Sequence, residues 1–377
     1  MQTEYIGRGS LSKLSNILDK TKSKKILLVT GKKSFDLSEA KIYLDKKLSK
    51  KQVQIFNNFN TNTDFADVVK GIKIVKKFHP DLIIAIGGGS VMDMAKLINI
   101  LSFQEGNSLH SLVKDSKLIS TKGLSLVAIP TTSGSGSQAT HFAVIYLEKY
   151  KYSVSHSYIL PDYVIVDSDL TKTTPKKIAA ICAMDALSQA IESLWAINST
   201  DESRRFASES INLILRSIRL AINKKENQAL AEMSLGSHLA GKAINISKTT
   251  APHAISYILT SCYQIPHGHA VALLLAPTAL ISSQKHNNHK FAESFKLICK
   301  FFECNTADEF YLKWMNLMVE IGLNCKIDES LFSRKDIEFI SKSVNEERLS
   351  NHPVQLKYKD ILEITKMSIA SKTSSLQ

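Results

Sequence analysis

The chain has 377 residues, 44% hydrophobic and 22% charged, with a formal net charge of +13. That length exceeds what one hydrophobic core usually serves, so two domains are expected, with a cleft between them as the natural site; the composition excludes a disordered or fibrous chain. The excess charge is scattered lysine without interleaved aromatics, which excludes a nucleic-acid partner, and the absence of both a leader-like apolar segment and a stretch of about 18 apolar residues excludes a membrane partner and makes a cytoplasmic protein the expectation.

Between Lys25 and about Ile165, the short β-branched runs KKILLVTG, QVQIFNN, DLIIAIGGG, LSLVAIPTT and YVIVDSDL alternate with amphipathic stretches. This pattern predicts βαβ units and a parallel, Rossmann-like sheet. After about Thr174 the segments PKKIAAICAMDALSQAIESLWAI, RRFASESINLILRSIRLAI and QALAEMSLGSHLAGKAI repeat apolar residues at helical spacing. Capping residues and a proline between Ser168 and Pro175 place the boundary there. The expected fold is therefore an α/β nucleotide-binding domain over 1–170 followed by an all-α, metal-binding domain over 171–377. Five cysteines without a CxxC pair argue against a disulfide framework or a thiolate zinc site.

Gly87-Gly88-Gly89-Ser90 follows an apolar run directly and opens a helical pattern, so its amides form a diphosphate cradle; Asp93 and Lys96 continue the same helix. A second loop, Pro130 to Ser137, is saturated with hydroxyls and glycines, and Thr131, Thr132 and Ser135 are expected to meet ribose and nicotinamide amide. It is neither a Walker loop nor a GxGxxG fingerprint, and its pattern alone also fits a surface loop. Gly31 after the first strand and the segment ending at Asn62 after the second carry no decisive carboxylate for the ribose 2′ position, so NADH and NADPH both stand.

Asp185 and Gln189, four apart, share a helix face, and His253 and His267 frame a later helical segment. An Asp carboxylate, a Gln carbonyl and two imidazoles suit Fe(II) or Zn(II), although a solvated aspartate and structural histidines would leave the same letters.

The pieces Gly9-Ser10, Asn62 in TNT, AIGGGSVMDMAK, AIPTTSGSGSQAT, LPDYVIVDSDL, AMDALSQAIES, HAIS and IPHG, spanning about residues 5 to 280, resemble in content and order the iron-containing (group III) alcohol dehydrogenase family. The resemblance implies a dehydroquinate synthase-like architecture, metal positions at Asp185, Gln189, His253 and His267, and a lysine near the nicotinamide ribose at Lys151. Position 189 is ordinarily histidine in that family, and Tyr257 stands where a further histidine is usual. The implied chemistry is hydride transfer from the dihydronicotinamide to a metal-polarised aldehyde, with His269, His156 or Tyr257 relaying the proton.

Within the family, SQATHFAVIY, KYSVSHSYILPD, ALSQAIESLWAINSTDES and INISKTTAPHAISYILTS resemble phosphonoacetaldehyde reductases. The substrate this implies is an aldehyde bearing a phosphonate, with Lys248, Thr250, His141 and His156 as contacts. Lys248 to Pro252 reads as the cap and first turn of the helix carrying His253, and a helix N-terminus beside a lysine is an anion site. A homodimer is the expected assembly. Two alternatives are a generic alcohol dehydrogenase acting on neutral substrates and a lyase or cyclase of the dehydroquinate synthase type. The latter is disfavoured because Ala183–Ser193 and His253–His269 contain no lysine or arginine.

Overall fold

A computed structural model describes residues 2–36, 39–148, 150–285, 289–344 and 349–369. The strands are β1 (Thr3–Ile6), β2 (Lys25–Thr30), β3 (Gln52–Phe56), β4 (Leu82–Gly87), β5 (Leu126–Pro130), β6 (Phe142–Leu147), β7 (Tyr150–Ser155) and β8 (Tyr163–Val166). Interspersed helices are α1 (Leu14–Thr21), α2 (Lys33–Asp36), α3 (Glu39–Leu48), α4 (Phe65–Phe78), α5 (Gly89–Leu101) and α6 (Leu109–Lys114). There follow α7 (Lys176–Trp195), α8 (Asp201–Asn223), α9 (Asn227–Ser247), α10 (Ala251–Tyr263), α11 (His267–Ser283), α12 (His289–Phe301), α13 (Ala307–Glu320), α14 (Arg334–Lys342) and α15 (Tyr358–Met367).

Six strands form one parallel sheet in the order β1-β8-β5-β4-β2-β3. Every residue of β4 and β5 is buried because helices cover both faces, which is why these runs are continuously apolar. Leu27, Val29, Ile83 and Ala85 join one core with α4 and α5. Ile26, Leu28, Ile84 and Ile86 join the other with α1 and α3. Parallel strands bring their carboxyl ends to one edge, and the registers Thr30↔Ile86 and Gly87↔Pro130 align the loops that leave it.

Two features escape the sequence reading. The edge strand β1 pairs with β8, and β6 with β7 forms an antiparallel hairpin. The hairpin alternates half-buried and buried residues along β6, the pattern of a strand with one covered face.

The chain divides into two compact units: Met1–Pro175 with Lys225–Gly241, and Lys176–Lys224 with Lys242–Gln377. Where the expected boundary is a single cut at 170, the first unit here also takes in most of α9. A Cβ added to Gly241 would lie 2.5 Å from the Gly136 carbonyl oxygen, so neither position accepts a side chain. Beside this contact Ser237 donates to the Gly134 carbonyl at 3.1 Å, and Ser133 and Ser234 share a hydrogen bond. The second unit is helical. All five cysteines are free thiols, and among the described residues no helix is long and apolar enough to cross a membrane.

His352, buried in the helical unit, bonds Ser282 through Nε2 and meets the edge of Trp195, and burial lowers its pKa to about 3. The unfolded chain takes up this proton near pH 6.5, so between about 6.5 and 3 only the unfolded state holds it and stability falls as pH falls. We expect urea unfolding to show a loss of up to ~1.4 kcal/mol per pH unit from this group, and His352→Gln to flatten the slope. Identical slopes for both proteins would show that the folded imidazole is already protonated.

Candidate functional site

In the sheet unit, four loops gather at the carboxyl edge. Gly31 leaves β2, the Thr61-Asn62 turn leaves β3, Gly87 to Ser90 leaves β4, and Thr131 to Ser137 leaves β5. The Thr131 amide donates to the Gly87 carbonyl at 2.9 Å, and the Ser90 hydroxyl donates to the Thr61 carbonyl, so the expected cofactor residues are tied into one rim. Asn62 is exposed there, while Ser90, Thr132 and Ser135 are half-buried. Gly88 caps α5 with no side-chain cap, leaving the first amides of a 13-residue helix directed outward at the rim.

Asp93, expected as a cofactor contact, is committed to the protein instead. Its carboxylate accepts from Ser137 Oγ at 2.6 Å and from the Val144 amide at 3.1 Å, and burial raises its pKa. Lys96, fully buried, donates to Ser137 Oγ, Thr140 Oγ1 and the Phe142 carbonyl at 2.9–3.0 Å; burial, opposed by Asp93, lowers its pKa to about 8. These two residues fasten the hydroxyl-rich loop and the hairpin to α5. Lys151 on β7 is close enough to Asp93 to lower its pKa. His141 and His156 flank the open end of the hairpin, joined by a backbone hydrogen bond of 3.0 Å, and His156 Nδ1 accepts from the Tyr158 amide.

In the helical unit, Asp185 on α7, His253 on α10 and His267 at the start of α11 form a cluster whose ligand atoms all lie within 4.8 Å of one another. A close helix crossing makes this possible: a Cβ on Gly268 would sit 2.5 Å from the Ile181 carbonyl and 2.8 Å from Asp185 Cβ. Asp185 Oδ1 is enclosed without a hydrogen-bond partner, 3.5 Å from His253 Nε2. An enclosed carboxylate oxygen facing imidazole nitrogens is a donor set that a divalent cation satisfies. Burial would raise the Asp185 pKa, but His253 and His267 beside it, with Gln189, hold it below the usual range. Burial likewise opposes protonation of His253, yet Glu192 foremost and Asp185 raise it to about 10. The Tyr257 ring stacks on His267 at 5.8 Å.

Three expectations change here. His269 stands two positions after His267, roughly 200° around the helix, and its Nε2 donates to the Asn324 carbonyl at 2.7 Å. It is committed away from the cluster, leaving Tyr257 and His156 as the expected relays. Thr250, expected to touch substrate, is buried, with its hydroxyl given to Glu192 and accepting from Trp195 Nε1. The N-terminus of α10 is not open to an external anion, because the Glu192 carboxylate already occupies it, accepting from the Thr250 and His253 amides at 2.8 and 3.5 Å. Gln189 is buried one turn after Asp185 and hydrogen-bonds its carboxylate. Glu192 itself was missed. The available signal was its place at i+7 from Asp185, on the same helix face as Ser188 and Gln189 and inside an otherwise apolar helix.

An uncapped helix N-terminus at the carboxyl edge of a parallel sheet, where such folds take their ligands, and an Asp–His–His cluster that could hold a metal ion are the features of nucleotide-linked metalloenzymes as a class. Residues 2–168 match the family described as Iron-containing alcohol dehydrogenase, and residues 179–369 match the Fe-containing alcohol dehydrogenase family, C-terminal. The chain is 33% identical to Long-chain-alcohol dehydrogenase 1 of Geobacillus thermodenitrificans, over 72% of this chain and 69% of that protein. It is 30% identical to the NADPH-dependent butanol dehydrogenase of Clostridium saccharobutylicum, over 87% and 84%. Its fold matches the sulfoacetaldehyde reductase of Bifidobacterium kashiwanohense, crystallised with NAD+, with a TM-score of 0.88 and 26% identity over 98% of each chain. The chain belongs to the iron-containing alcohol dehydrogenase family. It is an NAD(P)-linked alcohol dehydrogenase or aldehyde reductase, and the family implies a nicotinamide cofactor and a divalent metal.

The rim makes a clean test of cofactor contact. A Cβ on Gly88 would meet nothing nearer than Thr132 Oγ1 at 3.4 Å, so the fold itself accepts alanine there. Gly88→Ala is expected to leave the unfolding midpoint and metal content unchanged while weakening NADH or NADPH binding at least tenfold, ~1.4 kcal/mol, by crowding the diphosphate. Unaltered cofactor affinity in a fluorescence titration would remove Gly88 from the binding surface.

Proposed function

We propose that this enzyme reduces a small aldehyde to a primary alcohol using a dihydronicotinamide and an Fe(II) or Zn(II) ion held by Asp185, His253 and His267, and that its aldehyde is phosphonoacetaldehyde, giving 2-hydroxyethylphosphonate. The observation that carries the metal assignment is the enclosed Asp185 Oδ1 facing the imidazoles. When bound, the metal supplies Lewis acidity toward the carbonyl oxygen and the cofactor supplies the hydride. The Gly87–Ser90 amides would hold the diphosphate, Lys151 would serve the ribose, and Asp185, His253 and His267 would hold the ion.

Support for an anionic substrate comes from the branch segments and from the similarity to a reductase of sulfoacetaldehyde, a two-carbon aldehyde with a sulfonate where phosphonoacetaldehyde has a phosphonate. Since Glu192 fills the α10 N-terminus, the cation left to that segment is Lys248, the sole lysine or arginine between Lys242 and Lys285. It is half-buried, and burial lowers its pKa.

A panel of phosphonoacetaldehyde, sulfoacetaldehyde and butanal, assayed with both cofactors after reloading with Fe(II) or Zn(II), checks the reading. Phosphonoacetaldehyde should lead in kcat/KM. Lys248→Gln should lower that value by about 10- to 100-fold, the worth of a hydrogen bond to a charged group, and cost butanal much less. Equal turnover of all three would make the enzyme a generalist for neutral aldehydes. Separately, His267→Ala should lose bound metal and activity together; full activity in the chelated variant would end the metal assignment.

A further inference from the structure

Glu192 is wholly buried, and every polar group that faces it is a donor. Oε1 accepts from the Thr250 amide at 2.8 Å, from the Thr250 hydroxyl at 2.8 Å and, longer, from the His253 amide at 3.5 Å; Oε2 takes the Nδ1 side of His253 in a short contact. The opposite ring nitrogen, Nε2, is the one turned toward Asp185. Behind Thr250, the buried Asn351 donates through its amide to the Ser247 and Thr249 carbonyls at 2.8 and 2.9 Å, and its own side-chain oxygen accepts from the Asn198 amide at 3.1 Å. This pins the segment that delivers Thr250 to the carboxylate.

We propose that Glu192 is the positioning residue of the metal centre: it holds the proton of His253 on Nδ1, so that the Nε2 lone pair faces Asp185 and the ion, while Asn351 braces the Thr250 turn that keeps the carboxylate in place. The inference rests on the metal reading above. Counting donors and acceptors shows why no other group of the same shape can replace the carboxylate. A glutamine at 192 that turns its oxygen toward Thr250 offers NH2 to Nδ1, which must then accept, moving the ring proton to Nε2 and closing the metal's side. Turned the other way, its NH2 confronts the Thr250 amide, donor against donor, and the Thr250 hydroxyl loses its acceptor. The first arrangement removes the metal-binding tautomer and the second keeps it only at the cost of a buried donor facing a donor, although volume and packing are unchanged.

The test is the affinity of the full-length apoprotein for Zn(II), measured by competition with a chromophoric chelator. Wild type should bind, and Glu192→Gln should bind about 10- to 100-fold more weakly, the usual loss when a partner behind a metal ligand is removed. NADH binding and the unfolding midpoint report that the variant is folded. Equal zinc affinity in a folded Glu192→Gln overturns the proposal, because a packing role alone would survive this exchange. Failure of the wild type to bind zinc or iron would overturn the metal reading instead. Should the variant not fold, 15N–1H correlation spectra of histidine-labelled, zinc-loaded wild type still decide: Nδ1 of His253 must carry the proton, and a proton on Nε2 would sink the assignment.

Discussion

A carboxylate with no water around it must draw all its hydrogen bonds from the chain, and leaving one unmet inside a protein is costly. In the helical unit that requirement falls on Glu192, and much of the local geometry answers to it. Helix α10 starts where it does because its first amides converge on this side chain rather than on an external ion. The Thr250 hydroxyl, which would ordinarily cap its own helix, turns to the carboxylate and in exchange receives the Trp195 indole. His253 is thereby aimed before any metal arrives.

The sheet unit uses the same device with opposite polarity. Lys96 is an ammonium sunk under α5, and its three donors are all spent on the turn and hairpin that follow β5. With Asp93 bonding Ser137 and Val144, a loop rich in glycine and serine, which would otherwise sample many conformations, becomes rigid. In both units, then, a buried charge fixes its surroundings: Lys96 the loop and hairpin after β5, Glu192 the Thr250 turn and the His253 ring.

The strongly apolar elements were the legible ones. β4, β5 and β8 are buried on both faces, and so betrayed themselves as continuous runs; α7 and α8 carried helical spacing. β1 did not, since its four residues sit half-covered at a sheet edge. The β6–β7 hairpin alternates only along β6, while β7 is largely uncovered, so it stands out less than the buried runs. Among the candidate residues, Asp185, His253 and His267 were found because resemblance marked them. Asp93, Thr250 and His269 share one feature that their letters do not show, a protein partner for the polar group. A polar residue in a motif looks the same whether it reaches outward to a ligand or inward to a backbone carbonyl, and only the partner's position tells which. Glu192 and Asn351 lay hidden for the converse reason: their partners, the Thr250 and His253 groups for one and the Ser247, Thr249 and Asn198 backbone for the other, come from distant parts of the chain.

The division of the chain itself has a consequence for how the molecule is made. The sheet unit closes only with the segment Lys225–Gly241, which is separated from Pro175 by the whole of α7 and α8. During synthesis the sheet can therefore form early, yet its Gly136 turn stays without the α9 backbone that lies against it until Gly241 has left the ribosome. By then the first two helices of the other unit are already out, awaiting α10 and α11. The sheet unit can thus be completed as soon as Gly241 is out, whereas the helical unit waits for the rest of the chain, and α7, whose partner α11 has yet to emerge, is the segment left longest with an uncovered apolar face.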